Sequence, residues 1–304
     1  MPRCARIKFI DSIFHIMIRS IDEVPFFKED EDKKIYLSLV KKYQMQFNFK
    51  VYGYCLMGNH GHLIIDANGA DISKIMHGIN FSYAREFNRR HHRRGCLFQD
   101  RFKSKIINNE RYITTLSIYL HNNPKDIKGY EKRPEKYEYS SLAVYLGLRK
   151  DPYEIVDEDF IMQFFGKTKS KARRNYGKLM ALSKDENILK EVEFNDEKTL
   201  YKSCRKILVR NFIIDDIIQY VSNKTNIDKL NILMKNSKNT LEARALAVLL
   251  MRNLCNYKCS DICKVLGNIT QGRVSKLCSI GLKIMNDNQL YKNMIIEFIE
   301  VYTA

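Results

Sequence analysis

No stretch of 18 consecutive apolar residues occurs anywhere in the 304-residue sequence, which argues against a membrane-spanning helix. The start, Met1-Pro2-Arg3-Cys4-Ala5-Arg6, lacks the apolar core of a secretory signal. A cytoplasmic protein without a membrane partner is therefore expected. Glycine (13) and proline (5) are few and never cluster into a linker, and low-complexity tracts are missing, so the chain should be globular nearly throughout. The eight cysteines, at 4, 55, 96, 204, 255, 259, 263 and 278, lack the paired C-x-x-C spacing of a zinc site, and reduced thiols follow. Cys255, Cys259 and Cys263 recur at helical spacing, as core-packing thiols would.

Acidic residues are the scarce charge. Lys and Arg number 52 against 35 Asp and Glu, a formal charge of +17. Such an excess favours a polyanionic partner, nucleic acid first. The length is enough for two cores.

The periodicities divide the chain in two. Lys8–Arg19 alternates as a strand, with His15 and Met17 on one face and Phe14, Ile16 and Ile18 on the other. Asp30–Phe47 has apolar residues at helical spacing behind an acidic first turn. Phe49–Met57 and His60–Asp66 alternate around Gly58-Asn59 as a β-hairpin. A helix over about 71–90, a strand at Lys103–Ile107 and a helix over Asn109–Asn122, ended by Pro124, follow. This order suits an antiparallel sheet with helices, an α+β domain over 1–130. Residues 131–168, with Pro134 and Pro152, are expected to be a connector. Only helical patterns remain in 169–304, as in an all-α domain.

Within this frame, His60-Gly61-His62 places two imidazoles on one face of a strand, where both can reach one ion. The same pattern equally fits two histidines on a half-buried strand. Tyr119 and Asn123, four apart on a helix, present a phenol and an amide together. A tyrosine can be a covalent nucleophile, but with a pKa near 10 it needs a cation or base nearby. Taken singly, the pair also fits a core Tyr and an Asn at a helix end.

A basic run, Arg85, Arg89, Arg90, Arg93, Arg94, Arg101, Lys103 and Lys105, meets only Glu86 and Asp100. With Phe98 and Phe102 interspersed, it has the composition of a groove that follows phosphates and stacks bases. Part of it also fits a solvated helix face.

Together, Met1-Pro2-Arg3, Phe14-His15-Ile16, Tyr54-Cys55-Leu56-Met57-Gly58-Asn59-His60-Gly61-His62-Leu63-Ile64-Ile65, Gly95-Cys96-Leu97-Phe98-Gln99-Asp100-Arg101-Phe102 and Tyr119-Leu120-His121-Asn122-Asn123-Pro124 resemble the REP-associated tyrosine transposases, a branch of the single-tyrosine HUH transposases. The resemblance implies a ferredoxin-like sheet, Tyr119 as nucleophile, and His60, His62 and Asn123 as ligands of a divalent metal, Mg or Mn foremost. It implies cleavage and rejoining of single-stranded or hairpin DNA, such as repeat sequences, through a 5′-phosphotyrosine, by a monomer or homodimer. The family commonly has Pro and a larger apolar residue at Gly58 and Gly61, and Arg at Ile118. Glycine costs roughly 0.5–1 kcal/mol in a strand, so a looser hairpin is expected.

Farther along, residues 242–252, Cys259–Gly267 and Gln271–Lys276 resemble the DNA-binding domain of the replication initiator DnaA, a helix-turn-helix over about 240–304. Ser260 is expected to cap one helix, and a second, from about Thr270, to turn Gln271, Arg273, Ser275 and Lys276 toward DNA. A rival reading of the whole chain is a DNA-binding regulator that uses the same fold and does not cut.

Overall fold

The structure is a computed structural model that describes residues 12–21, 24–182, 212–234, 240–255, 257–267 and 269–302. The first four residues of the expected opening strand, and Cys4 and Cys204, lie outside these. The chain divides into two compact units. One takes residues 1–206 without 46–48 and 69–71, and the other takes 207–304 with those two short segments.

In the first unit the elements run β1 (Ile13–Arg19), α1 (Asp30–Phe47), β2 (Lys50–Leu56), β3 (His60–Asp66), α2 (Ile72–Arg90), β4 (Lys103–Ile107) and α3 (Glu110–Asn122). The four strands form one antiparallel sheet in the order β2-β3-β1-β4, the ferredoxin-like arrangement. Alternation gives this sheet two unlike faces. Phe14, Ile16 and Ile18 of β1 and Leu63 and Ile65 of β3 are all buried on one of them. His15, Met17 and Arg19 share the other with His60, His62 and Ile64, because Ile64 stands opposite His15, His62 opposite Met17, and His60 opposite Arg19.

The hairpin that carries the histidines is firmly held. Met57 N–H donates to the His60 carbonyl at 2.8 Å, Phe27 N–H to the Gly58 carbonyl at 3.0 Å and Ser20 N–H to the Asn59 carbonyl at 3.2 Å. Gly61 does not loosen it either. A Cβ there would stand 3.0 Å from a Leu56 methyl and 3.2 Å from Ile18, so bulky neighbours fill the space a larger residue would take.

Residues 131–168 are no free connector. Strand β2 is a sheet edge whose backbone groups need partners, and this segment supplies them. Leu56 N–H donates to the Tyr139 carbonyl at 2.9 Å, Ser141 N–H to the Tyr54 carbonyl at 3.0 Å and Asp157 N–H to the Val51 carbonyl at 2.8 Å. Tyr137 hydroxyl donates to the Leu56 carbonyl at 2.6 Å, and the Tyr145 hydroxyl bonds the Tyr52 carbonyl. Two short helices, α4 (Leu142–Tyr145) and α5 (Asp159–Met162), lie within it. Next, α6 (Lys169–Leu182) belongs to this same unit, with Ala172, Tyr176 and Met180 buried. The expected boundary at 169 therefore moves to about 206. The prolines that read as a linker sit instead in an edge-covering segment, where missing N–H groups cost little.

The second unit is helical: α7 (Ile214–Thr225), α8 (Lys229–Leu233), α9 (Leu241–Leu254), α10 (Cys259–Leu266), α11 (Gln271–Asp287) and α12 (Met294–Tyr302). Its core is built around α9, buried on all sides from Ala243 to Met251, as an apolar helix must be. Cys255 and Cys278 are buried in this core, and Cys259 and Cys263 pack against it. Helix α10 begins one residue before Ser260. Asp261, not Ser260, satisfies its first turn, taking the Lys258 N–H at 3.1 Å. Thr270 caps α11 as expected, accepting from Arg273 N–H at 3.3 Å. No helix among the described residues is long and apolar enough to cross a membrane.

Candidate active site

Strand β3 and helix α3 bring the candidate residues together. Two residues apart on β3, His60 and His62 turn to one face, their ring centroids 5.2 Å apart and nearly perpendicular. Tyr119 meets His62 edge-on, at 5.7 Å between centroids and 83° between planes. Helix α3 is well determined locally. Asn109 caps it by accepting from Tyr112 N–H at 2.7 Å, and Ile113, Leu116 and Leu120 anchor its buried side. That leaves Tyr119 half-buried and turned to the histidines. At the other end, fully buried His121 ties the helix down through Tyr176 hydroxyl at 2.6 Å and Ser141 hydroxyl at 2.7 Å.

Asn123 ends α3 and opens the turn Asn123–Asp126. It is 8 % exposed, and its buried amide nitrogen Nδ2, a donor, has no hydrogen-bond partner among the described residues. A buried donor left so is costly unless an acceptor, such as a water or phosphate oxygen, takes it up.

Each histidine has one ring nitrogen already engaged. His60 Nδ1 lies 2.6 Å from Asn59 Oδ1, and His62 Nδ1 lies 3.0 Å from His15 Nε2 on β1. The Nε2 atoms are left for an ion, with the other nitrogen held by a neighbour, as is usual for a metal-binding imidazole. Burial also keeps the rings neutral, the form that binds metals. It pulls the pKa of His62 well below its ordinary value, helped by His15 and His60. His60 is lowered by burial and by Arg19, against Asp126. His15 falls to about 3 through burial and then Lys105. The donor set thus fits a divalent cation. Among the described residues no three His, Cys, Asp or Glu side chains form a metal cage, so an ion here would complete its shell with amide, water or phosphate oxygens.

The basic residues divide. On β4, Lys103 stands opposite Met17 and Lys105 opposite His15, which places both on the histidine face. Arg19, missed in the sequence, stands opposite His60 on that face. The arginines near the end of α2 are partly committed to the fold. Arg90 pairs with Glu29 at 3.2 Å and with fully buried Asp32 at 3.4 Å, Arg89 holds Glu86, and Arg93 bonds Asn88 at 3.2 Å. Arg85, Arg94 and Arg101 are exposed. Phe102 is buried and offers no stacking face, while Phe98 is half-buried and packs on Phe26 at 5.1 Å. On α11, Gln271, Arg273, Ser275 and Lys276 are all exposed in the first two turns, while Val274 and Leu277 face the core.

His15 and Arg19 were within reach of the sequence. Both share a parity with the histidine face, but only the register of β1 against β3 reveals whom they meet.

The first unit is thus a ferredoxin-like sheet with a histidine pair on a central strand and a tyrosine on the helix across it. Residues 8–123 match the family model described as "Transposase IS200 like". None of the curated proteins matches the chain. A solved structure of a REP-associated tyrosine transposase bound to a REP hairpin is similar over 52% of this chain and 94% of its own, at 15% identity and a TM-score of 0.41.

Proposed function

We propose that the protein cuts and rejoins single-stranded or hairpin DNA by way of a covalent 5′-phosphotyrosine on Tyr119. The observation that carries this reading is the placement of Tyr119 edge-on to His62, beside His60, within the segment that matches an IS200-like transposase model. His60 and His62, through Nε2, and Asn123, through its amide oxygen, would hold a divalent ion, Mg or Mn foremost. When bound, the ion supplies Lewis acidity at the scissile phosphate and favours the phenolate form of a nearby tyrosine.

The protein's own groups do the rest. Tyr119 attacks phosphorus through its hydroxyl oxygen and loses its proton to solvent. The bond between phosphorus and the 3′ oxygen breaks, and that oxygen takes up a proton as a free 3′-hydroxyl. Attack of another 3′-hydroxyl on the phosphotyrosine reverses the step, so the bond is conserved without outside energy. Lys103, Lys105 and Arg19, on the histidine face, would hold the strand by its phosphates. In the second unit, Gln271, Arg273, Ser275 and Lys276 would enter a major groove as a recognition helix.

The test is a labelled hairpin oligonucleotide incubated with the full chain and manganese. A covalent protein–DNA adduct that vanishes in Tyr119→Phe is the expected result. Tight binding with no adduct under any divalent ion would leave only a DNA-binding regulator.

A further inference from the structure

The hydrogen bond between His15 Nε2 and His62 Nδ1 holds a single proton when both rings are neutral. Its location decides whether His62 can bind an ion. With the proton on His62 Nδ1, the Nε2 of His62 presents a lone pair. With the proton on His15 Nε2, a neutral His62 carries its own proton on Nε2 and offers a donor where a cation needs an acceptor.

We propose that His15 is a positioning residue, which accepts the Nδ1 proton of His62 and so fixes that ring in the one tautomer and orientation able to ligate metal. The inference rests on the metal reading of His60 and His62 given above. Its geometry comes from the sheet. His15 lies on β1, diagonal to His62 across an antiparallel pair, because Met17 is the residue directly opposite His62. The two rings share a face, with centroids 5.2 Å apart and planes at 30°. His15 is 0% exposed and His62 3% exposed, so water does not compete for the bond. His60 has an equivalent arrangement by a different route, since Asn59 Oδ1, 2.6 Å from its Nδ1, can only accept. In both rings Nδ1 is the engaged nitrogen, which would leave Nε2 for an ion. One is held by an amide oxygen in a turn, the other by an imidazole in the sheet interior. Outer partners of this type are worth about 10–100-fold in metal affinity.

The experiment titrates the full chain with Mn2+ alone, by calorimetry, for wild type and for His62→Ala, His15→Leu and His15→Gln. It also reads the tautomer of His62 by 15N NMR of histidine-labelled protein. Circular dichroism and thermal melting identify folded variants. Loss of binding in His62→Ala, with an approximately 10–100-fold rise in Kd in His15→Leu, is the expected outcome. The NMR signature of His62 should then move from protonated Nδ1 to a mixture. In His15→Gln, Oε1 can accept where Nε2 did, so binding and tautomer should largely recover. If His15→Leu fails to fold, His15→Gln is set against His15→Asn, whose shorter amide falls short of His62 and should bind Mn2+ more weakly. Were His62→Ala to abolish binding while every folded His15 variant bound Mn2+ as wild type does, with His62 still protonated on Nδ1, the positioning role would be overturned. Should His62→Ala leave Mn2+ binding unchanged, the metal reading itself would fail.

Discussion

The two units handle polar chemistry in opposite ways. In the first, His62, His15 and Asn123 are buried and every histidine of the site meets a named partner. In the second, Gln271, Arg273, Ser275 and Lys276 stand in solvent above an apolar core, with no buried partner among the described residues to orient them. Burial and hydrogen bonds fix a geometry before the substrate arrives, as bond-making requires, because reorganisation during the reaction is costly. Exposed side chains on a rigid helix can adapt to a base edge, as recognition requires. Under the proposed function this is a division of labour, in which the first unit would perform the reaction and the second would select where.

Four changes test this contrast, from the largest expected effect down. His60→Ala or His62→Ala should lower metal-dependent cleavage by about 10³-fold or more, with DNA affinity nearly intact, since affinity is spread over many phosphate contacts. Gel assays of adduct and of binding on the same samples read both. If either variant cleaves at the wild-type rate, that histidine is outside the mechanism.

The second change concerns where the first unit ends. A chain cut at 168 loses α6 and with it Tyr176, leaving Nδ1 of buried His121 without its partner. It should be unstable, whereas a chain ending at 206 should fold, form adduct and lose selectivity among DNA sites. Within the full chain, Tyr176→Ala should cost about 3–5 kcal/mol and Tyr176→Phe about 1–3 kcal/mol, as read by urea denaturation. Equal stability of the two fragments would return α6 to the distal unit.

Third, Lys103→Ala and Lys105→Ala should each reduce the salt slope of DNA binding by about 0.7–0.9. Arg90→Ala should act mainly on stability, because it uncovers buried Asp32. A larger loss of salt slope from Arg90 than from the two lysines would place DNA against α2 instead. The smallest effect is expected in the second unit. Arg273→Ala or Gln271→Ala should relax discrimination at one base by about 1–3 kcal/mol and leave adduct chemistry on a short hairpin unchanged. A panel of single-base variants of the target provides the measurement.

Strand parity and helix spacing were enough to place His60, His62, Tyr119 and Asn123 on the right elements, because those motifs are local. An antiparallel sheet followed from the order of strands and helices, and its ferredoxin-like arrangement from the family resemblance. What the sequence left hidden was long-range. The segment 131–168 has the charge and prolines of a linker, yet its tyrosines carry hydroxyls that reach the backbone of β2, a pairing no local pattern announces. The arginine run looked uniform by composition, but Glu29 and Asp32, some sixty residues earlier, occupy Arg90. His15 is the instructive case: its face was readable, while its bond to His62 depends on the register between β1 and β3.

The central claim is that Tyr119 becomes linked to DNA at a 5′ phosphate. It is tested most directly by trapping the adduct with a labelled hairpin and Mn2+, digesting it, and sequencing the DNA-bearing peptide by mass spectrometry. The account predicts one modified residue, Tyr119, joined to the 5′ phosphate of the downstream strand, with a free 3′-hydroxyl on the upstream strand. A link at another tyrosine, such as Tyr112 two turns earlier on the same helix, or a 3′ phosphotyrosine, would contradict it.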